Sequence, residues 1–171
     1  YFLYSEALNQ CLDDNWTLAA KSLEKAISLD SAYAGAYIAL SGVYTALGRE
    51  GESTKTFWDG YKLYDNLPYK DQLVFDAIKG FQTKDPHMCI KNFSLYLEMD
   101  PEAKWNWWNL GVSYMDLQNY TKAADALEKY IYLDEKWGVN EKWLIPYRNL
   151  IETYHELGFH KKELELYKKL L

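Results

Sequence analysis

The chain has 171 residues, of which 17 % are aromatic and 26 % are charged, with only 9 glycines and 4 prolines. This composition excludes a disordered or collagen-like chain, and the length suffices for a buried core of ordinary size. The net charge is −6, and Arg49 and Arg148 are the only arginines, so we expect no nucleic-acid partner. No apolar run approaches the roughly 20 residues of a membrane span, so no membrane insertion is expected.

Apolar residues recur at positions i, i+3, i+4 and i+7 along almost the whole chain, and strict alternation is absent. This period predicts an all-α fold. The predicted helices cover residues 1–12, 16–30, 33–47, 51–65, 69–83, 86–99, 102–117, 120–133, 141–157 and 160–171. Because most connections are short, we expect neighbouring helices to form antiparallel hairpins. The longer segment 134–141 is a candidate hinge.

Helix ends carry recognisable capping residues. In Asp85-Pro86 and Asp100-Pro101, an aspartate that can cap a helix precedes a proline suited to the first helical position. Gly48 and Gly158 each follow a leucine at the end of a predicted helix, where glycine favours a left-handed cap. These signals predict that helices begin after residues 85 and 100 and end before residues 48 and 158.

Three stretches of the chain can be laid over one another: AYIALSGVYTALGREGES from Ala36, NWWNLGVSYMDLQNYTKA from Asn106 and PYRNLIETYHELGFHKKE from Pro146. Each has an aromatic residue, a leucine three positions later, a small or apolar residue next, and a tyrosine three further on. The pattern resembles the tetratricopeptide repeat, with its 34-residue unit W-x₂-L-G-x₂-Y…A-x₃-F…P. The resemblance implies a single α-solenoid, a right-handed superhelix of about five helix-turn-helix repeats. Their expected ranges are roughly 1–33, 34–69, 70–103, 104–137 and 144–171.

Small residues stand at corresponding positions of the two helices in the first four expected repeats. The first-helix residues are Ala7, Ser41, Ala77 and Gly111, and the second-helix residues are Ala19, Ser53, Cys89 and Ala123. Small side chains let two helix backbones approach, so these residues are expected at the centre of each hairpin. The fifth repeat departs from the pattern, because Ile151 and Glu163 stand where small residues belong.

In the family that the chain resembles, the first helix of each repeat lines the concave side of the superhelix. Carried over residue by residue, this implies a largely apolar groove that binds a peptide, a helix or a domain. The expected groove residues are Ile38, Phe75, Trp105, Trp108, Asn109, Val112, Arg148 and Asn149. Trp105 and Trp108 lie three positions apart and so share one face of a helix. They can either bind a ligand or pack against neighbouring segments, and the sequence leaves both readings open.

The sequence contains no phosphate-binding glycine loop, zinc-protease motif, nucleophile elbow or cysteine pair at metal-binding spacing. We therefore predict that the protein is not an enzyme and holds no cofactor and no metal. His155 and His160 flank the Gly158 turn and could face one ion, but no third ligand is obvious from the sequence. Glu163 and Glu165 are expected to be solvated carboxylates.

Two further expectations concern the protein's wider context. The opening, with its two early tyrosines and the later run LEKAISLDSAYAGAY, resembles repeat arrays attached to bacterial signalling proteins. This gives an alternative function, as a regulatory or dimerisation segment of a larger cyclase, kinase or transcription regulator, with self-association as one consequence. The chain lacks an initial methionine and is interpreted as a fragment of a longer protein with a cytoplasmic location.

Overall fold

The computed structural model describes residues 2–137 and 144–170. Within these residues the chain forms α-helices joined by turns, without a β-strand, which confirms the predicted all-α class. The helices are α1 (Phe2–Leu12), α2 (Trp16–Leu29), α3 (Ala34–Ala46), α4 (Glu50–Tyr61), α5 (Tyr69–Thr83), α6 (Pro86–Met99), α7 (Lys104–Asp116), α8 (Tyr120–Lys136), α9 (Ile145–Glu156) and α10 (His160–Leu170). A short 3₁₀ helix, Tyr64–Asn66, lies between α4 and α5.

The helix boundaries match the predictions to within about two residues, except that α9 begins at Ile145 rather than at residue 141, and at three further places. Helix α4 ends at Tyr61 and is followed by the 3₁₀ turn rather than continuing to residue 65. Helix α7 begins at Lys104, so the prediction that Asp100-Pro101 starts this helix is wrong. Instead, the Asp100 carbonyl accepts a turn hydrogen bond from the Ala103 N–H at 3.2 Å. Helix α8 continues to Lys136, which makes the first part of the predicted hinge helical, and residues 138–143 of that region lie outside the described residues.

Each hairpin closes with the same backbone motif. One residue in the turn after each first helix has φ between 55° and 70°. The N–H of the residue that follows it donates to the carbonyl five residues earlier at 2.8–2.9 Å. This is the Schellman geometry, which satisfies carbonyls at the helix end. The left-handed residues are Asp14, Gly48, Lys84, Gln118 and Gly158, which confirms the prediction for the two glycines. Their spacing of 34 to 40 residues shows the repeat directly in the backbone.

The small residues predicted at the centre of the hairpins are buried in all four pairs. The pairs are Ala7 with Ala19, Ser41 with Ser53, Ala77 with Cys89, and Gly111 with Ala123. Ser41 and Ser53 share a hydrogen bond between their Oγ atoms at 3.2 Å, and the Cys89 thiol donates to the Ala77 carbonyl at 3.3 Å. Burial raises the pKa of Cys89 to about 11, so this thiol serves packing rather than nucleophilic chemistry.

The described residues group into two compact units, residues 2–75 and residues 76–137 with 144–170, which divide within α5. In the first unit, α1 to α4 pack in sequence around Leu23, Leu40 and Phe57. In the second unit, α6 to α10 pack in sequence around Phe93 and Leu127, among other buried residues. The prediction of one uninterrupted array stays a prediction.

None of the helices in the described residues combines the length and apolarity of a membrane span.

The packing at Gly111 gives a first prediction. A Cβ atom at Gly111 would lie 2.7 Å from Leu127 Cγ, whereas a Cβ atom at Gly42 would meet nothing within 4 Å. We expect Gly111→Ala to lower the free energy of unfolding by about 1–3 kcal/mol through overpacking. Gly42→Ala, the matched control, should raise it by up to about 1 kcal/mol through helix propensity. Urea unfolding followed by circular dichroism measures both, and equal effects of the two substitutions would contradict the close approach.

Candidate functional site

Helices α7 and α9 are the first helices of successive hairpins in the second unit, and they contact each other directly. The Trp108 indole Nε1–H donates a hydrogen bond to Asn149 Oδ1 at 2.9 Å, and this joins two residues that the sequence predicted for the site. We call the surface around this bond the α7–α9 face. Its residues are Trp105, Trp108, Asn109, Val112, Arg148 and Asn149.

The tryptophans on the α7–α9 face combine packing with exposure. Trp105 is 39 % exposed, and its ring centroid lies 5.8 Å from that of the buried Tyr130. Trp108 is half-buried and fixed by Asn149. One edge of each indole therefore belongs to the second unit, and the remainder reaches solvent. The packing interpretation therefore holds for part of each side chain, and ligand binding by the exposed part stays a prediction.

The polar residues of this face differ in how they are held. The Asn109 side-chain N–H₂ donates to the Trp105 carbonyl at 3.0 Å, one helical turn earlier. Val112 is half-buried on the same helix, and Arg148 is exposed at the start of α9. The face thus presents indole rings, amide groups and one cationic guanidinium.

The other two predicted groove residues lie in the first unit. Ile38 is half-buried on α3. Phe75 is fully buried, with its ring centroid 6.0 Å from that of Phe57 and 6.1 Å from that of Tyr61. The prediction of Phe75 as a ligand-binding residue is therefore wrong, because this side chain fills the core between α4 and α5 and has no surface to offer.

A buried ion pair lies at the start of α7, and the sequence prediction did not include it. Lys104 Nζ lies 2.7 Å from Asp134 Oδ1, and both side chains are 5 % exposed. The Tyr147 hydroxyl donates to Asp134 Oδ2 at 3.2 Å, so the carboxylate links α7, α8 and α9. Lys104 Nζ also lies 5.1 Å from the Trp105 ring centroid, within the range of a cation–π contact. Burial, together with the negative Asp134, raises the pKa of Tyr147 well above its usual range.

The signal for this ion pair was present but weak. Lys104 opens α7 where the second repeat has Ala34, and Asp134-Glu135 replaces the Asp-Pro that usually ends the unit. Without that proline, α8 runs to Lys136, and Asp134 faces the core from within the helix. Lys104 and Asp134 both depart from the repeat pattern and carry opposite charges, and this combination is the sequence signal for an ion pair.

A second cross-hairpin contact recurs in both units. The Tyr44 hydroxyl donates to Glu24 Oε1 at 2.6 Å, and the Tyr154 hydroxyl donates to Glu128 Oε1 at 2.7 Å. In each case the last aromatic residue of a first helix binds a glutamate on the second helix of the preceding hairpin. Burial and the hydrogen bond to Glu24 raise the pKa of Tyr44 to about 12, so the hydroxyl stays protonated and donates at neutral pH.

The histidines near the last turn differ from expectation. His155 and His160 do face each other across Gly158, and Glu163 lies between them within hydrogen-bonding distance of both. The expectation that Glu163 is simply solvated is therefore wrong, and this carboxylate is a third donor group that was not obvious from the sequence.

One family model and several solved structures resemble this chain. The tetratricopeptide repeat family model matches residues 106–136. MamA from Desulfovibrio magneticus RS-1, residues 41 to the end, superposes with a TM-score of 0.56 at 14 % identity, covering 99 % of this chain and 91 % of that structure. YrrB, described as a tetratricopeptide-repeat protein with an unusual peptide-binding site, gives a TM-score of 0.53 at 16 % identity and covers 98 % and 82 %.

A chain from the APC/C hetero-tetramer Cut9–Hcn1 superposes with a TM-score of 0.70 at 14 % identity, covering 99 % of this chain and 32 % of that one. No curated protein sequence matches. Residues 106–136 are thus a tetratricopeptide repeat, and the chain has the α-solenoid fold of tetratricopeptide-repeat proteins, as the sequence predicted. At these identities the structural likeness shows the fold alone.

The buried ion pair gives a second prediction. We expect Lys104→Met to lower the free energy of unfolding by about 3–5 kcal/mol, because it leaves the Asp134 carboxylate buried without its cation. Adding Asp134→Asn should recover part of this loss, since the unpaired charge is then removed.

The exposed pair Lys62–Asp59 supplies the matched control for this test. Its Nζ–Oδ1 distance is 2.6 Å, but the lysine side chain is 75 % exposed. Lys62→Met should change the free energy of unfolding by less than about 1 kcal/mol in the same urea titration. If Lys104→Met costs no more than Lys62→Met, the buried pair does not stabilise the second unit as described.

Proposed function

We propose that the chain is a non-catalytic protein-interaction module and that the α7–α9 face binds a peptide or an extended segment of a partner protein. The observation that carries this proposal is the hydrogen bond from Trp108 to Asn149, which holds a half-buried indole between two first helices. A rigid, partly exposed aromatic side chain loses little conformational entropy on binding, and tryptophan is enriched among residues that dominate binding energy.

The remaining groups on this face suit a peptide. Trp105 adds an exposed indole one turn before Trp108, and its own packing on Tyr130 restrains it. Because Asn149 Oδ1 accepts from Trp108, its Nδ2 group is the end of the amide that can donate to a peptide carbonyl. Arg148 is exposed and permanently charged, so it suits an acidic side chain or a carboxylate on the ligand.

The proposal that the module is non-catalytic rests on the chemistry of these same residues. Indoles, primary amides, an aliphatic side chain and a guanidinium do not exchange protons near neutral pH, and none of them is an activated nucleophile. A protein of the same fold, YrrB, is described as having a peptide-binding site, which supports a binding role for this face. The absence of a nucleic-acid partner and a cytoplasmic location stay predictions.

Peptide binding can be tested with a random peptide library selected on the purified chain. The dissociation constant of a selected peptide is then measured by fluorescence anisotropy. We expect Trp108→Ala to weaken binding about 30-fold or more, which corresponds to the roughly 2 kcal/mol typical of a dominant interface residue. Trp105→Ala should weaken it by a smaller factor, because part of that side chain packs on Tyr130.

Trp58 provides the matched control, because it has the same 39 % exposure as Trp105 but lies on α4 in the first unit. Trp58→Ala should leave the dissociation constant unchanged, and circular dichroism should show intact helices in all three variants. The binding site would lie elsewhere if a selected peptide bound the Trp108→Ala and wild-type chains equally well, or if Trp58→Ala abolished its binding.

The alternative, a regulatory or dimerisation segment of a larger signalling protein, differs in its oligomeric state. Light scattering of the purified chain over a range of concentrations distinguishes the two functions. If the mass increases with concentration in both the wild-type chain and the Trp108→Ala variant, the result favours dimerisation through another surface. A constant monomer mass with peptide binding favours the interaction module.

A further inference from the structure

The fifth hairpin, α9 and α10, breaks the rule that the other four hairpins follow. At the central pair of positions, Ile151 is buried on α9, and Glu163 stands opposite on α10 where the earlier hairpins have Ala19, Ser53, Cys89 and Ala123. The Glu163 side chain is only 18 % exposed. A carboxylate placed between two helices costs free energy unless charged or polar groups compensate it. The compensating groups are two imidazoles.

The turn at Gly158 brings these imidazoles to the carboxylate. Gly158 has a φ of 69°, and the Phe159 N–H donates to the Tyr154 carbonyl at 2.8 Å, which reverses the chain between the two histidines. His155 lies in the last turn of α9, and His160 opens α10. His155 Nδ1 lies 3.4 Å and His160 Nδ1 lies 3.2 Å from Glu163 Oε2. One ligand atom from each of the three residues lies within 4.8 Å of the other two.

We propose that His155, His160 and Glu163 form a binding site for a divalent transition-metal ion, with Zn²⁺ as the best match. Zinc bonds to histidine nitrogen and carboxylate oxygen at about 2.0–2.2 Å, and a tetrahedral arrangement then separates neighbouring ligand atoms by about 3.3–3.5 Å. The His155–Glu163 distance of 3.4 Å lies within this range, and the His160–Glu163 distance of 3.2 Å lies just below it. An ion bound at this point would replace the shared hydrogen bonds, and each imidazole nitrogen that donates to Glu163 would release its proton to bind the metal.

The ligand set also selects among metals. Two imidazoles and one carboxylate favour zinc, copper, nickel and cobalt over calcium and magnesium, which prefer an all-oxygen environment.

Exposure of the site defines its remaining coordination. The His155 and His160 side chains are 65 % and 70 % exposed, so the ion would sit at the surface and be reached from solvent. Three protein ligands leave a fourth tetrahedral position, which water or a donor atom from another molecule can fill. Because the three ligands come from both helices, the ion would fasten α9 to α10 and stabilise the last hairpin.

Zinc titration of tag-free protein by calorimetry tests this site, and cobalt absorption reports its geometry. We expect one ion per chain, visible cobalt bands of tetrahedral intensity, and a higher midpoint of thermal unfolding with zinc than with a chelator. His155→Ala, His160→Ala and Glu163→Gln should each weaken binding at least about tenfold, since even supporting residues around a metal contribute that much.

The third histidine of the chain, His87, is the matched control, and His87→Ala should bind zinc as the wild-type chain does. Three results would overturn the proposal: no saturable binding, binding that Glu163→Gln leaves unchanged, or binding lost with His87→Ala. If Glu163 serves only as a hydrogen-bond acceptor for the histidines, Glu163→Gln lowers the midpoint of thermal unfolding measured in chelator. Zinc then changes the midpoint of neither the wild-type chain nor the variant. That outcome also rejects the metal site, and peptide binding at the α7–α9 face is unaffected by either result.

Discussion

The two helices of a hairpin pack closely in this protein because the side chains at the centre of their contact are small. At Gly111 the approach is so close that a single methyl group would lie 2.7 Å from Leu127 Cγ. Ala7, Ser41 and Ala77 occupy the same place in the other small-residue pairs and are fully or almost fully buried. Because protein interiors are close-packed, this one contact fixes how the larger leucine and aromatic side chains around it interdigitate.

The hairpin without that small pair is where unusual chemistry appears. With Ile151 and Glu163 at the centre, the α9–α10 hairpin cannot use the same close contact and instead places a carboxylate beside two histidines. The hairpin before it has its own departure, since the longer α8 carries Asp134 into a buried ion pair with Lys104. Both departures lie in the second unit, which also holds the α7–α9 face.

The regular part of the fold was predictable because local rules determine it. The 3.6-residue apolar period predicted the helices. Gly48 and Gly158 predicted two turns, and both glycines have the left-handed φ values that glycine adopts readily. The Trp108 and Asn149 positions followed from repeat phase alone, although their hydrogen bond did not. The repeat pattern indicates which helix face a residue lies on. Where the sequence follows the pattern, this is enough to predict the place of the residue in the fold.

The remaining features depend on contacts that the pattern does not encode. Phe75 lies on a face that the repeat assigns to the groove, but neighbouring Phe57 and Tyr61 enclose it. The partners Lys104 and Asp134 are 30 residues apart, and neither is apolar, so no period reveals them. Glu163 was recognised as a departure but not as a partner of the histidines, because the geometry of the Gly158 turn decides that contact.

The central claim, that close helix approach at the small pair determines hairpin packing, is tested most directly by a double-mutant cycle. The free energy of urea unfolding is measured for the wild-type chain, Gly111→Ala, Leu127→Ala and the double variant. If the Gly111 methyl group clashes with Leu127, then adding Gly111→Ala to the Leu127→Ala chain should cost nothing or stabilise it, giving a coupling of at least about 1 kcal/mol. Additive effects within about 0.5 kcal/mol would contradict the account.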